Sequence, residues 1–340
     1  MCALLNEMMR QKKLILASFC LLIAIHGIAQ SSINVQDPYY EFVDDDPNFA
    51  QFMGQLAVGF ETDFSFRSEV PVGLYFHYDF SAIPVELDAS GIFSILSERQ
   101  RGFYRDNLSD NEFQRYSTFQ GGVTYNFIDR SVKKDIKVVY MVKSFFVGSV
   151  GDERLSADSY SVFSEGLVRK RLGIRGGVMR YAQSITDYDS DGQSIVFPDG
   201  TTFPDAENPW NEKPSTDDNY YFTGERHLSG YIGLQFHRSS GLVLDFEQYG
   251  TKDSKVNFFL YADMLINLAS DIEKLSFEGQ LYDLNNATSG VSLNNIGFRV
   301  GAKRVRRNLF YSVEFGMRPQ YFKADIYTQL LVGYSFNGNF

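Results

Sequence analysis

The sequence predicts an all-β fold, an antiparallel barrel that crosses a membrane with its strands. Three observations support this: an N-terminal leader, a series of segments in which apolar and polar residues alternate, and a final amphipathic strand that ends at Phe340. The composition agrees, because the chain holds 31 Phe and 21 Tyr although its mean hydropathy is −0.22. Lipid-facing and interior-facing residues alternate along a barrel strand, so they cancel in any window average.

Residues 1–29 have the pattern of a secretory signal peptide. Basic residues precede an apolar stretch at 14–25, and Ala29 supplies the small residue expected before a cleavage site. The apolar stretch is shorter than the roughly 20 residues that a membrane-spanning helix needs. We therefore expect export and cleavage after Ala29, which would remove both cysteines, Cys2 and Cys20.

The alternation is clearest at the C-terminus. Read back from Phe340 in steps of two, one face is apolar, aromatic or glycine: Phe340, Gly338, Phe336, Tyr334, Val332 and Leu330. The other face is mostly small or polar, as at Asn339, Asn337 and Ser335. A helical period cannot produce this split, so the segment predicts a strand with one face toward lipid.

Similar segments along the chain predict about fourteen strands, with twelve to sixteen possible. They lie near 51–66, 70–80, 85–96, 115–127, 136–148, 160–169, 173–186, 221–237, 242–250, 255–268, 274–283, 291–303, 308–318 and 325–340. With this count the two longest connections, 97–114 and 187–220, fall on the same, extracellular side, as long loops do in such barrels. Basic residues collect in the inferred inner turns, for example Lys133, Lys134 and Lys170.

The predicted organisation has three parts. Residues 1–29 are the signal peptide, 30–50 an acidic N-terminal segment in the periplasm, and 51–340 the transmembrane barrel. We expect the segment 30–50 to be a flexible tail, and the alternative is a segment folded into the barrel interior.

The leader and the terminal strand together resemble those of Gram-negative outer-membrane β-barrel proteins. The strand Tyr327–Phe340 is similar to the terminal signal of that class, with Tyr334, Phe336 and Phe340 as its aromatic positions. The resemblance implies an outer-membrane location. It also implies contact with outer-membrane lipid and lipopolysaccharide, and with the barrel assembly machinery during biogenesis.

A second, local resemblance covers Asp46–Met53, which is similar to the opening of PorP/SprF-type barrels associated with type IX secretion. The chain then continues Gly54-Gln55-Leu56-Ala57, where that family has an Asn-Pro-Ala stretch. This resemblance implies secretion-complex proteins as partners.

Strand parity predicts which side chains line the interior. The predicted lining residues are Glu61, Asp63, His77, Asp79, Glu165, Arg175, Asp245, Glu247, Asp263, Glu278, Arg299 and Glu314. Acidic wall residues attract cations, so the sequence predicts a passive pore for small solutes with a cation preference. The alternative is a closed barrel that uses the same residues as an ion-pair network and acts as a non-conducting component of a secretion or cell-surface complex.

One motif suggests a metal. Asp187, Asp189 and Asp191 stand at alternate positions before Gly192, as in loops that gather oxygen ligands around Ca²⁺. The acid expected at the twelfth position is absent, because Pro198 stands there. The alternative is a solvated acidic loop without a bound ion.

The sequence does not predict an enzyme or a nucleic-acid partner. His77, His227 and His237 fall on the inward parity without an adjacent nucleophile signature such as G-x-S-x-G. The formal net charge of −10 provides no overall basic surface for nucleic acid.

Overall fold

Ten long strands form a closed antiparallel barrel in the computed structural model of the chain. The structure describes residues 38–48, 51–63, 68–80, 82–97, 106–107, 111, 114–147, 154–185, 195–203, 219–220, 223–277, 279–321 and 326–338. Each strand pairs with the next one along the chain, and the last pairs with the first. No helix among these residues is long and apolar enough to cross a membrane.

The barrel strands have the following bounds: β2 (Phe52–Asp63), β3 (Ser68–Asp79), β4 (Val85–Ser97), β6 (Ser117–Val147), β7 (Arg154–Ile185), β11 (Thr223–Phe246), β12 (Gly250–Ile272), β16 (Ile296–Arg306), β17 (Leu309–Met317) and β19 (Ile326–Gly338). One strand outside the ring, β1 (Tyr40–Asp44), is adjacent to β11.

Short elements occupy the connections. They are β5 (Asp106–Asn107), β8 (Ile195–Val196), β9 (Thr202–Phe203), β10 (Asn219–Tyr220), β13 (Leu275–Phe277), β14 (Gln280–Tyr282), a 3-10 helix (Leu284–Asn286), β15 (Leu293–Asn294) and β18 (Gln320–Tyr321).

The prediction of an antiparallel barrel is confirmed, but the prediction of about fourteen strands is wrong. Three pairs of predicted strands are single strands: 115–127 with 136–148 is β6, 160–169 with 173–186 is β7, and 221–237 with 242–250 is β11. The segment 274–283 is not in the wall, since it contributes to the small hairpin β13–β14. The polar residues between the predicted strands continue the ladder, as Arg238 does opposite Lys170.

The barrel wall separates apolar side chains outside from polar side chains inside. In β19, Val332 is 53% exposed, whereas Leu331 and Ser335 on the other parity are 1% and 0% exposed. Every barrel strand contributes exposed apolar side chains, including Leu56, Leu74, Phe93, Phe119, Ile174, Ile232, Leu260, Phe298, Phe315 and Val332. An apolar band of this extent on a closed barrel is the surface that lies against lipid.

The connections at one end of the barrel pack into a small folded cap. Ile195 and Phe197 of the β7–β11 connection join Leu275 and Leu284 of the β12–β16 connection in one buried cluster. In the same region, Asp199 accepts hydrogen bonds from the hydroxyl and the N–H of Thr201 at 2.6 and 3.0 Å. These bonds lower the pKa of the exposed Asp199 carboxyl.

The turns at the opposite end are short. Three residues join β11 to β12, and Arg307 with Asn308 joins β16 to β17. Arg307 has φ 53°, a left-handed conformation that the tight turn requires.

The hairpin ends of four strands belong to a second compact unit. Its described residues are 38–41, 137–147, 154–163 and 244–252. Within it, the Tyr140 ring lies 5.2 Å from that of Phe246 and 5.0 Å from that of Tyr249. Tyr40 also contacts Phe246, at 5.5 Å between ring centroids. Within the predicted N-terminal segment 30–50, residues Tyr40–Asp44 form the strand β1.

Candidate functional site: the barrel interior

Polar and charged side chains fill the interior of the barrel. They come from the inward parity of the strands, and most are less than a tenth exposed. Burying an ionised group is costly unless a partner of opposite charge and additional hydrogen bonds compensate it. Many of the interior groups find such partners in three clusters, which we name after their central carboxylates.

The Glu61 cluster lies near the capped end. Arg318 donates from Nη1 and Nη2 to the two carboxylate oxygens of Glu61, at 2.7 and 3.1 Å. Gln329 donates a further hydrogen bond to Glu61 at 2.6 Å. The guanidinium carbon of Arg318 is 3.6 Å from the centroid of the Tyr327 ring and 4.9 Å from that of Tyr116. The arginine therefore combines a bidentate ion pair with two cation–π contacts.

The Asp263 cluster joins β6, β7, β12 and β16. Arg299 donates from Nε to Asp263 Oδ2 at 2.7 Å and from Nη1 to Gln120 Oε1 at 2.5 Å. Because Gln120 is on β6 and Arg299 on β16, this contact links strands that are not neighbours in the wall. Arg175 from β7 forms a second ion pair with Asp263, with Nε 3.5 Å from Oδ1.

Tyrosines surround the two arginines of this cluster. The guanidinium carbon of Arg299 lies 4.6 Å from the Tyr231 ring, and that of Arg175 lies 4.5 Å from the Tyr261 ring. Tyr231 fits because Gly122 faces it: a Cβ at that position would lie 1.9 Å from the Tyr231 hydroxyl. The hydroxyls of Tyr261 and Tyr327 both donate to Glu314, which lies between the Asp263 and Glu61 clusters.

The Glu86 cluster lies toward the end with short turns. Its carboxylate accepts from Asn126 at 3.0 Å and Gln235 at 2.7 Å, and His237 Nδ1 lies 3.0 Å from its Oε1. Arg171 is paired with both Glu86 and Asp79, at 2.8 and 2.7 Å. These residues come from β3, β4, β6, β7 and β11, so the cluster also spans the barrel interior.

Each of the three described histidines lies beside a carboxylate. His77 Nδ1 is 3.1 Å from Asp88 Oδ1, and His237 Nδ1 is 3.0 Å from Glu86 Oε1. His227 belongs to a different part of the interior, where its Nε2 is 2.8 Å from Glu225 Oε2 and its ring stacks on Tyr181 at 4.7 Å.

Two small cavities lie among the described interior residues. One cavity of about 10 Å³ borders Tyr75, Arg299 and Arg318, and another of about 20 Å³ borders His77, Asp88 and Lys303. A buried water needs about 10–15 Å³ by the same measure, so each cavity holds about one water.

Seven of the predicted lining residues face the interior, namely Glu61, His77, Asp79, Arg175, Asp263, Arg299 and Glu314. Three others do not: Glu165, Asp245 and Glu247 are exposed. Glu165 instead pairs with Lys133 on the neighbouring strand at 2.7 Å. The prediction placed Glu165 in a wall strand 160–169, and Asp245 with Glu247 in a wall strand 242–250. In the structure they belong to the long hairpins of β6–β7 and β11–β12.

The remaining predicted residues either lie on the outer face or fall outside the described residues. Tyr334 and Phe336 of the terminal strand are exposed on the outer face, with their rings 4.9 Å apart. The Asp63 side chain, Glu278, Phe340 and the predicted calcium ligands Asp187, Asp189 and Asp191 lie outside the described residues.

The predicted lining residues do not include the interior tyrosines Tyr231, Tyr261 and Tyr327. Strand parity alone could place them inward, but we expected aromatic residues mainly on the lipid-facing side. Their partners are on other strands or beyond their own strand, such as Arg299 for Tyr231 and Glu314 for Tyr261, and a local pattern does not report such contacts.

No protein family and no curated protein matches this sequence. Among solved structures, the chain is similar to the toluene transporter TodX of P. putida with 9% identity and a TM-score of 0.23, over 85% of this chain and 91% of that one. It is similar to OmpT, an outer membrane protein of Vibrio cholerae, with 13% identity and a TM-score of 0.19, over 87% of this chain and 100% of that one. Similarity this low does not bear on activity, so the functional argument rests on the barrel itself.

Proposed function

We propose that this protein is a non-conducting outer-membrane β-barrel that serves as a component of a cell-envelope complex. The observation that carries the proposal is the pairing of charges across the interior, where the two cavities that border Arg318 and His77 are each about the size of one water. The other function that the sequence predicts, a passive cation-leaning pore, requires a continuous water-filled path.

The outer face of the barrel supports a membrane location. Apolar side chains are exposed on all ten wall strands, and in water such a surface would be unfavourable over this area. The predicted signal peptide and the aromatic terminal strand agree with export to the outer membrane. Outer-membrane lipid and lipopolysaccharide are then the surroundings of the wall, and the assembly machinery is a transient partner.

The interior supports a closed state. A barrel of about eight strands is just wide enough for its own side chains to fill, and ten strands are close to that limit. Buried carboxylates that would favour cations in an open pore form ion pairs with arginines inside the protein. Glu61 pairs with Arg318, Glu86 with Arg171 and Asp263 with Arg299. Moving one of these side chains aside would break an ion pair whose partner stays buried.

The second compact unit supports an interaction role. Among its described residues, Tyr39, Val142 and Phe163 are 67%, 61% and 63% exposed. Val142 is on β6 and Phe163 on β7, and we take the exposed apolar side chains of this unit as the surface that binds another protein. We propose a secretion or cell-surface complex as the partner, with no enzymatic activity and no nucleic acid.

Two measurements on purified protein test the proposal. In planar bilayers we expect no steady conductance from barrels whose insertion is verified by co-flotation with vesicles. From native membranes we expect a stoichiometric partner to co-purify, and to be lost in the Val142→Asp, Phe163→Asp double variant. The matched control is Val332→Asp with Leu260→Asp, which alters the lipid-facing wall and is expected to impair insertion instead. Steady conductance with no co-purifying partner would favour the pore.

A further inference from the structure

Two histidines and a carboxylate meet inside the barrel in an arrangement suited to a metal ion. His77 on β3, Glu86 on β4 and His237 on β11 each offer one ligand atom, and these atoms lie within 4.8 Å of one another. All three side chains are buried, at 4%, 0% and 2% exposure. His77 and His237 come from strands on different sides of the barrel, so the cluster bridges the interior.

His77 is oriented as a metal ligand. Its Nδ1 lies 3.1 Å from Asp88 Oδ1, so Nδ1 carries the proton and donates to this carboxylate. The other ring nitrogen, Nε2, is buried and has no hydrogen-bond partner among the described residues. A histidine held by a carboxylate through one nitrogen, with a free lone pair on the other, is the usual arrangement around protein-bound zinc.

His237 provides an independent indication. Its Nδ1 is 3.0 Å from Glu86 Oε1, and its Nε2 is 3.1 Å from Asn257 Oδ1. The Asn257 amide nitrogen lies 3.3 Å from the sulfur of Met53, which is consistent with its oxygen facing the ring. A neutral imidazole donates only one hydrogen bond, so one of the two contacts joins two acceptors unless the ring holds a second proton or a cation is shared.

We propose that His77, Glu86 and His237 form a binding site for a divalent transition-metal ion of the zinc class. In this site His77 Nε2, His237 Nδ1 and a Glu86 oxygen are the ligands, while Asp88 and Asn257 hold the rings from behind. Two imidazoles and one carboxylate favour Zn²⁺ or Co²⁺ over Ca²⁺ and Mg²⁺, which prefer oxygen ligands alone.

Carboxylates and cationic side chains both surround the site. Asp79, Glu86 and Asp88 contribute three carboxylates, and Arg171 pairs with the first two. Lys303 and Arg175 border the cavity beside His77 and Asp88. A second arginine near Asp79, Arg169, is itself paired with Asp129. The ion would connect β3 and β4 to β11 on the other side of the interior, and so would stabilise the folded barrel.

The test uses the full barrel, folded in detergent, stripped with a chelator and titrated with Co²⁺ and Zn²⁺. We expect one equivalent of metal, a visible absorption band of nitrogen-coordinated Co²⁺ and a higher unfolding temperature with Zn²⁺. His77→Gln and His237→Gln are expected to lose all three. His227→Gln removes a buried histidine from the Glu225 site, so this matched control is expected to keep them.

Asp88→Asn tests the site without removing a ligand, and we expect its Zn²⁺ affinity to fall about 10- to 100-fold. This variant also carries the test if a histidine variant fails to fold, as judged by heat-dependent gel mobility. The proposal is overturned if the wild-type barrel binds no stoichiometric metal, since a doubly protonated His237 then accounts for the contacts. It is equally overturned if folded His77→Gln binds like the wild type.

Discussion

Arg318 and Glu61 form a two-point ion pair inside the barrel although 257 positions separate them in the chain. Glu61 belongs to β2, and Arg318 follows β17, so the pair reaches past β19, which lies between those strands in the wall. Both side chains are 7% exposed. The pair therefore depends on closure of the barrel, and it also helps to fill the space that closure creates.

Removing the arginine alone should destabilise the barrel strongly. In Arg318→Met, Glu61 stays buried without its cationic partner, and breaking a buried pair in this way costs about 3–5 kcal/mol. The measurement is the free energy of unfolding in urea with the protein in lipid vesicles.

The control for this prediction is the double variant Arg318→Met, Glu61→Leu. Replacing both partners with apolar groups removes the uncompensated charge, so we expect much of the lost stability to return. If the free energy of unfolding of Arg318→Met is within about 1 kcal/mol of the wild-type value, the pair is solvated.

The strand order can be checked with engineered disulfides. Leu260 on β12 lies opposite Ala302 on β16, so the double cysteine variant at these positions should cross-link on oxidation. The predicted fourteen-strand barrel would place the segment 274–283 between these two strands. The readout is gel mobility of the folded protein before and after reduction.

Two further cysteine pairs calibrate this experiment. Ile174 and Leu234 are opposite each other in β7 and β11, and they should cross-link under either strand count. Leu260 with Leu281 should not, because Leu281 belongs to the hairpin β13–β14. Cross-linking of Leu260 to Leu281 but not to Ala302 would contradict the ten-strand order.

The alternation in the sequence predicts the barrel class correctly but overestimates the number of strands. Lys133-Lys134, Lys170-Arg171 and Ser239-Ser240 interrupt the apolar pattern and were therefore interpreted as turns. Backbone hydrogen bonding does not require apolar side chains, and where β7 pairs with β11 the ladder continues through such residues. A polar break in the pattern does not by itself distinguish a turn from a strand that continues through polar residues.

Parity predicts which side of the wall a residue faces, but not which partner it finds. It places Glu61, Asp263 and Arg299 inward, as the structure does. It could not pair Arg299 with Gln120 or His237 with Glu86, because those contacts depend on barrel width and therefore on the strand number. This explains why an acidic interior suggested a cation pore when the chain was considered as sequence alone.

The lipid-facing wall makes its own prediction. Val332→Arg places a charge on the outer face of β19, and we expect a loss of about 2–4 kcal/mol if this position is near the membrane midplane. Leu309→Arg is the control, because Leu309 is beside a short turn, where the expected cost is about 0–1 kcal/mol. Equal effects at both positions, measured as unfolding free energies in vesicles, would argue against a bilayer around this wall.

The loop 187–192 remains a predicted calcium site. Titration calorimetry at millimolar Ca²⁺ should give a binding heat that Asp189→Ala abolishes. Asp205→Ala is the matched control, since it removes an acid of the same connection outside the motif. No heat from the wild type, or identical heats from the wild type and Asp189→Ala, would favour the alternative, a solvated acidic loop without a bound ion.

The most direct test of a filled interior is the reactivity of single cysteines toward a small charged thiol reagent. With Cys2 and Cys20 absent, Ser229→Cys and Ser335→Cys would place thiols at interior positions that are 0% exposed. Ala82→Cys, in the exposed turn between β3 and β4, reports full reactivity. We predict that the two interior cysteines stay unmodified in the folded barrel while Ala82→Cys reacts completely. Rapid modification of either interior cysteine would contradict the closed barrel.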